Sequence, residues 1–515
     1  MLKAIFRFIV SKSFIFIILA LAQIGIFFAS FTIMGEYTSY VYFALTVLSV
    51  IMGLVLFEKD NLNPAYKLLW LVMFTIFPVS SGLFYLVIGG QKLSKRNKAN
   101  FEHIARITAE TSPDDTLLYD NLQAIDDKLL RCAKYLRQYA IAPIYNDTFS
   151  RFFTIGDEFF NPFLDELKKA EKSIFMEYFI ISDEGKMWPE TLEVLKEKAA
   201  AGVDVRIIYD SFGCLFTLPG NYYETLQSFG IKCHPFNAIK PSFHLNDYLI
   251  LNNRDHRKIC VIDGEVGFTG GVNFSDEYIN EKQPYGVWKD SAFMIKGPAV
   301  YGLTTTFLGM WAYLSGEDVQ FEKFKPTISF PNDNDSFVQP FCDSPLDDEN
   351  VSENAYFNVI NTAKKYVYIT TPYLVIDYEM LTNLQLAAKS GIDIRLILPG
   401  IPDKPMVFML TQSYYRPLLK AGVRIFEYAP GFIHSKMYVS DDKVAIVGSA
   451  NMDYRSLYLH FENCCAFYGG HLINDVKRDM LATIQDSREI TLGNFKTNPI
   501  KRIFQFALRI IAPLV

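Results

Sequence analysis

Charge is almost missing from one end of this chain. Of its 515 residues, the first 90 carry only eight charged side chains: Lys3, Arg7, Lys12, Glu36, Glu58, Lys59, Asp60 and Lys67. All the other Lys, Arg, Asp and Glu fall after residue 90, at the density of a soluble domain. A basic excess is also absent: the formal net charge is −6. A nucleic-acid partner is therefore not expected, since phosphate binding needs a basic footprint. Paired cysteines are lacking too. The seven cysteines, Cys132, Cys214, Cys233, Cys260, Cys342, Cys464 and Cys465, are odd in number and scattered, with no CxxC. That excludes a disulfide framework and a cysteine zinc cluster, and free thiols fit a reducing compartment. Neither an HExxH helix nor an Asp-rich magnesium site occurs, so no metal or other cofactor is expected. With 50% hydrophobic and 15% aromatic residues, the chain is neither disordered nor collagen-like.

The uncharged end contains three long apolar runs: Phe14–Met34, Tyr40–Phe57 and Trp70–Gly89. About 20 apolar residues span a bilayer as helix. A cleaved signal peptide would not be followed by a second and third run. Residues 1–90 therefore read as a transmembrane anchor of two or three helices. The Lys/Arg count does not orient it. Lys3, Arg7, Lys12, Lys59 and Lys67 on one side balance Lys92, Lys95, Arg96, Lys98 and Arg106 on the other. At the far end, Pro499 opens a segment in which Lys501, Arg502 and Arg509 alternate with Ile503, Phe504, Phe506, Leu508, Ile510 and Ile511. Residues 499–515 read as an amphipathic helix, either lying on a membrane surface or packed on the domain.

Between these ends the chain repeats itself. Residues 91–150 form a polar connector. Then Ala170-Glu-Lys-Ser-Ile-Phe-Met-Glu-Tyr-Phe-Ile-Ile recurs in outline as Ala363-Lys-Lys-Tyr-Val-Tyr-Ile-Thr-Thr-Pro-Tyr-Leu. Gly202-Val-Asp-Val-Arg-Ile-Ile-Tyr matches Gly391-Ile-Asp-Ile-Arg-Leu-Ile-Leu, and Gly230-Ile-Lys-Cys matches Gly422-Val-Arg-Ile. In each copy a helical run ends at a glycine and a β-branched run follows. Strands alternating with helices imply an α/β sheet with parallel pairing. Two lobes are expected, 151–325 and 326–498, facing each other across a pseudo-twofold axis.

The repeat includes the chemistry. His256-Arg-Lys258 with Asp263, Gly270-Gly271 and Asn273 matches His434-Ser-Lys436 with Asp441, Gly448-Ser449 and Asn451. Both fit H-x-K-x4-D-x6-G-[GS]-x-N without a gap. A single HxK is common by chance; the whole pattern twice inside a wider repeat is not. His and Lys two apart on a strand share a face. Asp263-Gly264 and Asp441-Asp442 look like hairpin turns that return the Asn beside the His and Lys.

Two lobes would bring two His, two Lys and two Asn to one cleft, which suits a phosphodiester. Lys258, Lys436, Asn273 and Asn451 can hold the phosphate oxygens and stabilise charge in the transition state. One imidazole can attack phosphorus while the other serves as acid and base. Glu462 and Asp290 are assigned to orient the two imidazoles, one each. His103, His234, His244 and His460 lack a repeated partner and read as surface or core residues.

The doubled motif resembles the phospholipase D superfamily. Asn63-Pro-Ala-Tyr-Lys-Leu-Leu-Trp, Glu177-Tyr178, Thr371-Pro-Tyr373, Ser413-Tyr-Tyr, Tyr428-Ala-Pro-Gly-Phe-Ile-His434 and Ala512-Pro-Leu-Val narrow the resemblance to bacterial cardiolipin synthases. The third apolar run departs from the two spans usual there. The resemblance implies an α/β fold of two homologous phospholipase D-like lobes, mixed sheets flanked by helices around one cleft, behind N-terminal transmembrane helices. It implies that two phosphatidylglycerol molecules give cardiolipin and glycerol through a phosphatidyl-histidine. It also implies catalytic roles for His256, Lys258, Asp263, His434, Lys436 and Asp441, with His256 as nucleophile and His434 as acid/base. On the residues alone the halves read as equivalent, and both aspartates fit a hairpin better than chemistry. A multi-pass protein of the bacterial cell membrane is expected, with its catalytic portion cytoplasmic and homo-oligomerisation left open. The rival readings are a lipid-hydrolysing phospholipase D and a transferase using phosphatidylethanolamine as donor. A nuclease and an inactive scaffold fit less well. Phe212–Leu218 and Met406–Tyr415 are the stretches expected to line acyl-chain access.

Overall fold

The computed structural model describes residues 35–58, 62–85, 95–237, 253–331, 336–347 and 349–514, with isolated positions before residue 35. It divides into two compact units. One comprises residues 1–94, 240–252 and 507–515; the other comprises 95–239 and 253–506.

In the first unit, the second apolar run forms the 20-residue helix Thr38–Phe57, long and apolar enough to cross a membrane. Its large side chains face outward: Tyr40, Phe43, Val50 and Leu54 are each more than half exposed. Burying such a surface in water's absence is favourable, which suits lipid contact. Among the described residues it is the one helix that meets this length and polarity test. The run at Phe14–Met34 lies outside the described residues apart from isolated positions.

The third run departs from the expected single span. Its described part forms two short helices, Pro64–Ile76 and Pro78–Phe84. Pro78 has no N–H to continue the first ladder and suits the first position of a new helix. Asn63 caps the first of these through Ala65 N–H at 2.9 Å. Trp70, Phe74 and Phe84 pack with Leu56 into a small aromatic core. His244 lies outside the described residues.

The second unit contains the duplication. The first sheet has seven strands, in the spatial order Phe149–Phe153, Ala292–Lys296, Val266–Gly270, Lys258–Ile262, Ser173–Tyr178, Asp204–Asp210 and Lys232–Phe236. The second repeats it as Phe337–Asp343, His460–Tyr468, Val444–Gly448, Met437–Ser440, Tyr366–Thr370, Asp393–Pro399 and Arg424–Tyr428. It then adds the edge strand Ser487–Ile490. In each lobe three strands pair in parallel at one end and antiparallel hairpins fill the other. The glycines read as helix ends, Gly202, Gly391 and Gly422, have φ of +91°, +93° and +99°, where a side chain would be strained.

One core joins the lobes. Phe175, Ile259, Val261, Phe293 and Ile295 of the first sheet pack with Tyr366, Tyr368, Val439, Val447 and Phe467 of the second. The buried helix Val300–Ser315 contributes Leu303, Phe307 and Trp311 to this core. Two short parallel pairings then stitch one lobe to the other. His460 and Phe461 pair with Arg254 and Asp255, and Phe432 and Ile433 pair with Trp288 and Lys289. These two seams stand just before the two motif histidines and position the site.

The C-terminal helix Pro499–Ile511 carries Ile500, Ile503, Phe504 and Phe506 outward. Within the second unit, its buried Gln505 donates to the Met409 carbonyl and Lys501 Nζ donates to Gln412. The helix thus turns polar side chains to helix Pro405–Ser413 and leaves apolar ones exposed.

Candidate active site

His256 and His434 each follow a seam strand and precede a buried central strand, so neither ring reaches open solvent. The seams cross the carboxylates over. Glu462, on the second lobe's long strand, has both oxygens 2.9 Å from Nδ1 of His256 in the first lobe. Asp290, just after the first lobe's seam strand, has Oδ2 2.5 Å from Nδ1 of His434 in the second. Each carboxylate favours the Nδ1–H tautomer and with it a lone pair on Nε2, while Lys436 Nζ also stands 2.8 Å from Nδ1 of His434.

The two dyads are alike but not identical. Ser449 Oγ donates to Glu462 Oε2 at 2.5 Å. Gly271 holds the matching motif position in the first lobe, and a Cβ there would come within 2.1 Å of Asp290 Oδ1. The glycine is what lets the shorter acid sit close. Around His434 stand aromatic rings: Trp288, Tyr278 and Phe432 lie 5.3, 5.5 and 5.8 Å away, centroid to centroid. Beside His256 stand Phe179 at 4.9 Å and His460 at 5.5 Å. By strand register, His460 occupies on one side the place that Trp288 occupies on the other.

Burial governs the charges. It pushes both imidazoles down, helped by the neighbouring lysines; His434 reaches about 4 and His256 falls well below its ordinary value. Burial also lowers Lys258 to about 7 and Lys436 to about 8, against the pull of Glu462 and Asp290 respectively. For Asp290 burial acts upward, but Lys436 and His434 outweigh it and hold the carboxyl below its usual range. Lys258 Nζ donates to the His256 carbonyl at 2.5 Å, and Lys436 Nζ donates to the His434 carbonyl. The result is two neutral imidazoles beside two ammonium groups whose protons are easily lost, all buried, a place prepared for an anion.

Asp263 and Asp441 are not beside the imidazoles. Each sits at the far end of its strand, about 16 Å along the chain from the motif lysine at roughly 3.3 Å per residue. Asp263 takes the backbone N–H groups of Glu171, Lys172 and Ser173, and Asp441 those of Lys364, Lys365 and Tyr366. Both have positive φ, +56° and +53°, the hairpin conformation that Asp tolerates. They hold the turn to the neighbouring strand. Asn273 is also committed to the scaffold: its Oδ1 accepts from Ile180 N–H and its Nδ2 donates to Tyr278. Asn451 is buried, and its Oδ1 has no partner among the described residues.

His460 was read as a surface or core residue, yet it lies in the site. The missed signal is its spacing: two residues before Glu462 on a strand, it shares that carboxylate's face. Asn463 was also unforeseen; it accepts from Lys258 N–H and donates to Thr269, tying the lobes together. His256, His460 and Glu462 form the one group of potential metal ligands among the described residues. Glu462 is already engaged by His256 and Ser449, and Lys258 and Lys436 crowd His256 with positive charge. A cation does not fit that donor set well.

Comparison with known proteins now decides the family. The domain described as "Cardiolipin synthase, PLD-like domain" matches residues 163–311 and 356–483, one stretch in each lobe. The chain belongs to the cardiolipin synthase family. A cardiolipin synthase of Geobacillus kaustophilus is 35% identical over 91% of this chain and 92% of its own length. Cardiolipin synthase 2 of Bacillus anthracis is 35% identical over 91% and 90%. An uncharacterised protein of Streptococcus mutans is 40% identical over 87% and 96%. Among solved structures, phosphatidylserine synthase of Haemophilus influenzae superposes with a TM-score of 0.56 at 15% identity, covering 75% of this chain and 98% of that one. At that identity the likeness concerns the fold, and it agrees with the paired sheets. Membership makes this chain an enzyme of the phospholipase D superfamily, with phosphatidyl transfer as its class of reaction.

Proposed function

We propose that this enzyme joins two phosphatidylglycerol molecules into cardiolipin and releases glycerol. The crossed pair of His–carboxylate dyads around one anion-ready cleft is the observation that carries this reading. In the first step the Nε2 lone pair of one motif histidine attacks phosphorus. The bond from phosphorus to the headgroup glycerol breaks, and the other histidine protonates the departing oxygen. In the second step that histidine takes the proton from a hydroxyl of the second phosphatidylglycerol. The oxygen attacks phosphorus, and the P–N bond breaks. Family resemblance favours His256 as the attacking residue and His434 as the acid/base.

Lys258 and Lys436 would carry the phosphate charge, assisted by Asn451. No metal enters this scheme. The apolar rings around the site would keep water from competing with the lipid alcohol. Phe212 and Met406, both exposed, belong to the stretches proposed to admit acyl chains. Helix Thr38–Phe57 would anchor the enzyme beside its lipids, as one span of a multi-pass membrane end.

The test is a product assay with purified protein and single phospholipids in vesicles. Equal amounts of cardiolipin and glycerol from phosphatidylglycerol support the reading. Phosphatidic acid as sole product would make it a hydrolase, and cardiolipin with free ethanolamine only when phosphatidylethanolamine is present would change the donor.

A further inference from the structure

His460 and Arg455 are two polar groups that the reaction as written above does not use. His460 is only 8% exposed, yet among the described residues neither ring nitrogen has a hydrogen-bond partner. Its Nδ1 is 3.7 Å from Glu462 Oε1, beyond hydrogen-bond reach, because that carboxylate is turned to His256 and Ser449. Buried polar atoms are normally paired, and an orphan of this kind marks a place where something binds.

Arg455 stands close enough for its charge to help hold the His460 imidazole down. It lies on the short helix Tyr454–Tyr458, which leads from motif residue Asn451 to the strand bearing His460. Its guanidinium makes no hydrogen bond or ion pair among the described residues. The adjacent formal charges are Asp453, Arg254 and Asp210. Each of those is occupied elsewhere: Asp453 caps Ser456 N–H at 2.8 Å, and Arg254 faces Asp210. Arg455 is half-buried, and that burial pushes its guanidinium below its ordinary value, a shift that an anion beside it would offset. Lys404 adds a further positive charge felt at both Asp453 and His256.

We infer that Arg455 and His460 form a second phosphate-binding subsite, which holds the phosphate that the acceptor lipid keeps. This rests on the phosphatidyl-transfer reading and extends it. The acceptor is itself a phosphodiester, and its phosphate is not the one transferred. Whichever imidazole attacks, the two phosphates of the product stand one glycerol apart, so both must be accommodated within the same cleft. Lys258 and Lys436 serve the reacting phosphate. Arg455 offers a planar fork to the other, and neutral His460 offers an N–H donor beside it. The subsite explains how an alcohol carrying a phosphate is preferred to water or to a neutral alcohol. The register gives the other side of the cleft Trp288 in the equivalent place, so the anion site is built once, not twice.

The test compares two acceptors with phosphatidylglycerol as donor in detergent micelles: phosphatidylglycerol itself and a neutral primary alcohol such as 1-butanol. Cardiolipin and phosphatidylbutanol are measured separately for wild type, Arg455→Gln, Arg455→Lys and His460→Asn. The subsite requires Arg455→Gln and His460→Asn to lower cardiolipin formation about 10–100-fold, the scale of a lost charge-assisted hydrogen bond. The loss should appear mainly in KM for the lipid acceptor, with phosphatidylbutanol falling much less than cardiolipin and Arg455→Lys recovering part of the cardiolipin. Equal loss of both products in both variants, or unchanged cardiolipin formation, overturns the subsite. If wild type makes phosphatidylbutanol but no cardiolipin, the proposed function fails instead.

Discussion

Both carboxylate oxygens of Glu462 lie 2.9 Å from Nδ1 of His256, a residue 206 positions earlier and in the other lobe. Asp290 and His434 repeat the relationship in the opposite direction, at 2.5 Å. Each lobe therefore completes the other's histidine, and neither lobe holds a finished dyad alone. Glu462→Gln and Asp290→Asn should each lower kcat at least about 100-fold with little change in KM, because the amide no longer favours the productive tautomer. Steady-state kinetics of cardiolipin formation checks this.

The glycine beside Asp290 supplies a finer test. In Gly271→Ala the new Cβ would meet Asp290 Oδ1 at 2.1 Å, so the carboxylate must move from His434. Activity should fall by an amount comparable to Asp290→Asn. Ser449→Ala, which removes one hydrogen bond from Glu462 and leaves His256 engaged, should cost less. Comparing kcat of the two variants at matched thermal stability separates the effects.

Asp263 and Asp441 should behave as structural residues although they belong to the repeated motif. Each collects three backbone N–H groups at a hairpin. Asp263→Ala should lower stability by about 1–3 kcal/mol, the cost of leaving such donors unpaired. Turnover per folded molecule should stay near wild type. Denaturant unfolding of the catalytic unit within the full chain, together with kcat, measures both.

The lysines make the pH dependence directional. Burial holds Lys258 at about 7 and Lys436 at about 8. Above those values the ammonium groups lose their protons and the cleft loses its attraction for phosphate. Binding of a non-reactive phosphodiester lipid should therefore weaken as pH rises from 7 to 9. The imidazoles, already neutral across this range, add nothing to that limb. Lys258→Arg, which stays charged, should flatten the fall, as measured by vesicle-binding titration.

Helix Thr38–Phe57, proposed above to cross the membrane, should yield to a charge. Leu48 lies near the middle of Thr38–Phe57 and is partly exposed. Leu48→Arg places a cation at mid-bilayer, at a cost of about 2.5–3.5 kcal/mol on insertion scales. Fractionation should show a smaller membrane-bound share than for Leu48→Ala.

The comparison of sequence with structure has a physical pattern. The duplicated lobes were legible because each strand and helix carries its own period and each helix end its own glycine. The His–Lys spacing was legible because a strand alternates faces. What depended on distant pairing was not. The identities of Asp290 and Glu462 could be read, but their crossing comes from two short inter-lobe seams that no local pattern announces. His460 looked bland because its neighbour in space, His256, is far away in sequence. Asn273 has a scaffold contact that its motif position did not announce, because its partner Tyr278 belongs to a separate turn. The third apolar run looked continuous by composition, yet Pro78 divides it.

The central claim is that the phosphatidyl group passes through one of the two facing histidines. The stereochemistry at phosphorus tests it most directly. Phosphatidylglycerol made chiral at phosphorus with sulfur or oxygen isotopes would be converted by the purified enzyme, and the product's configuration determined by phosphorus NMR. Two successive in-line displacements, onto histidine and off again, give overall retention. Inversion would mean that the acceptor alcohol displaces glycerol in a single step and would contradict the covalent histidine intermediate.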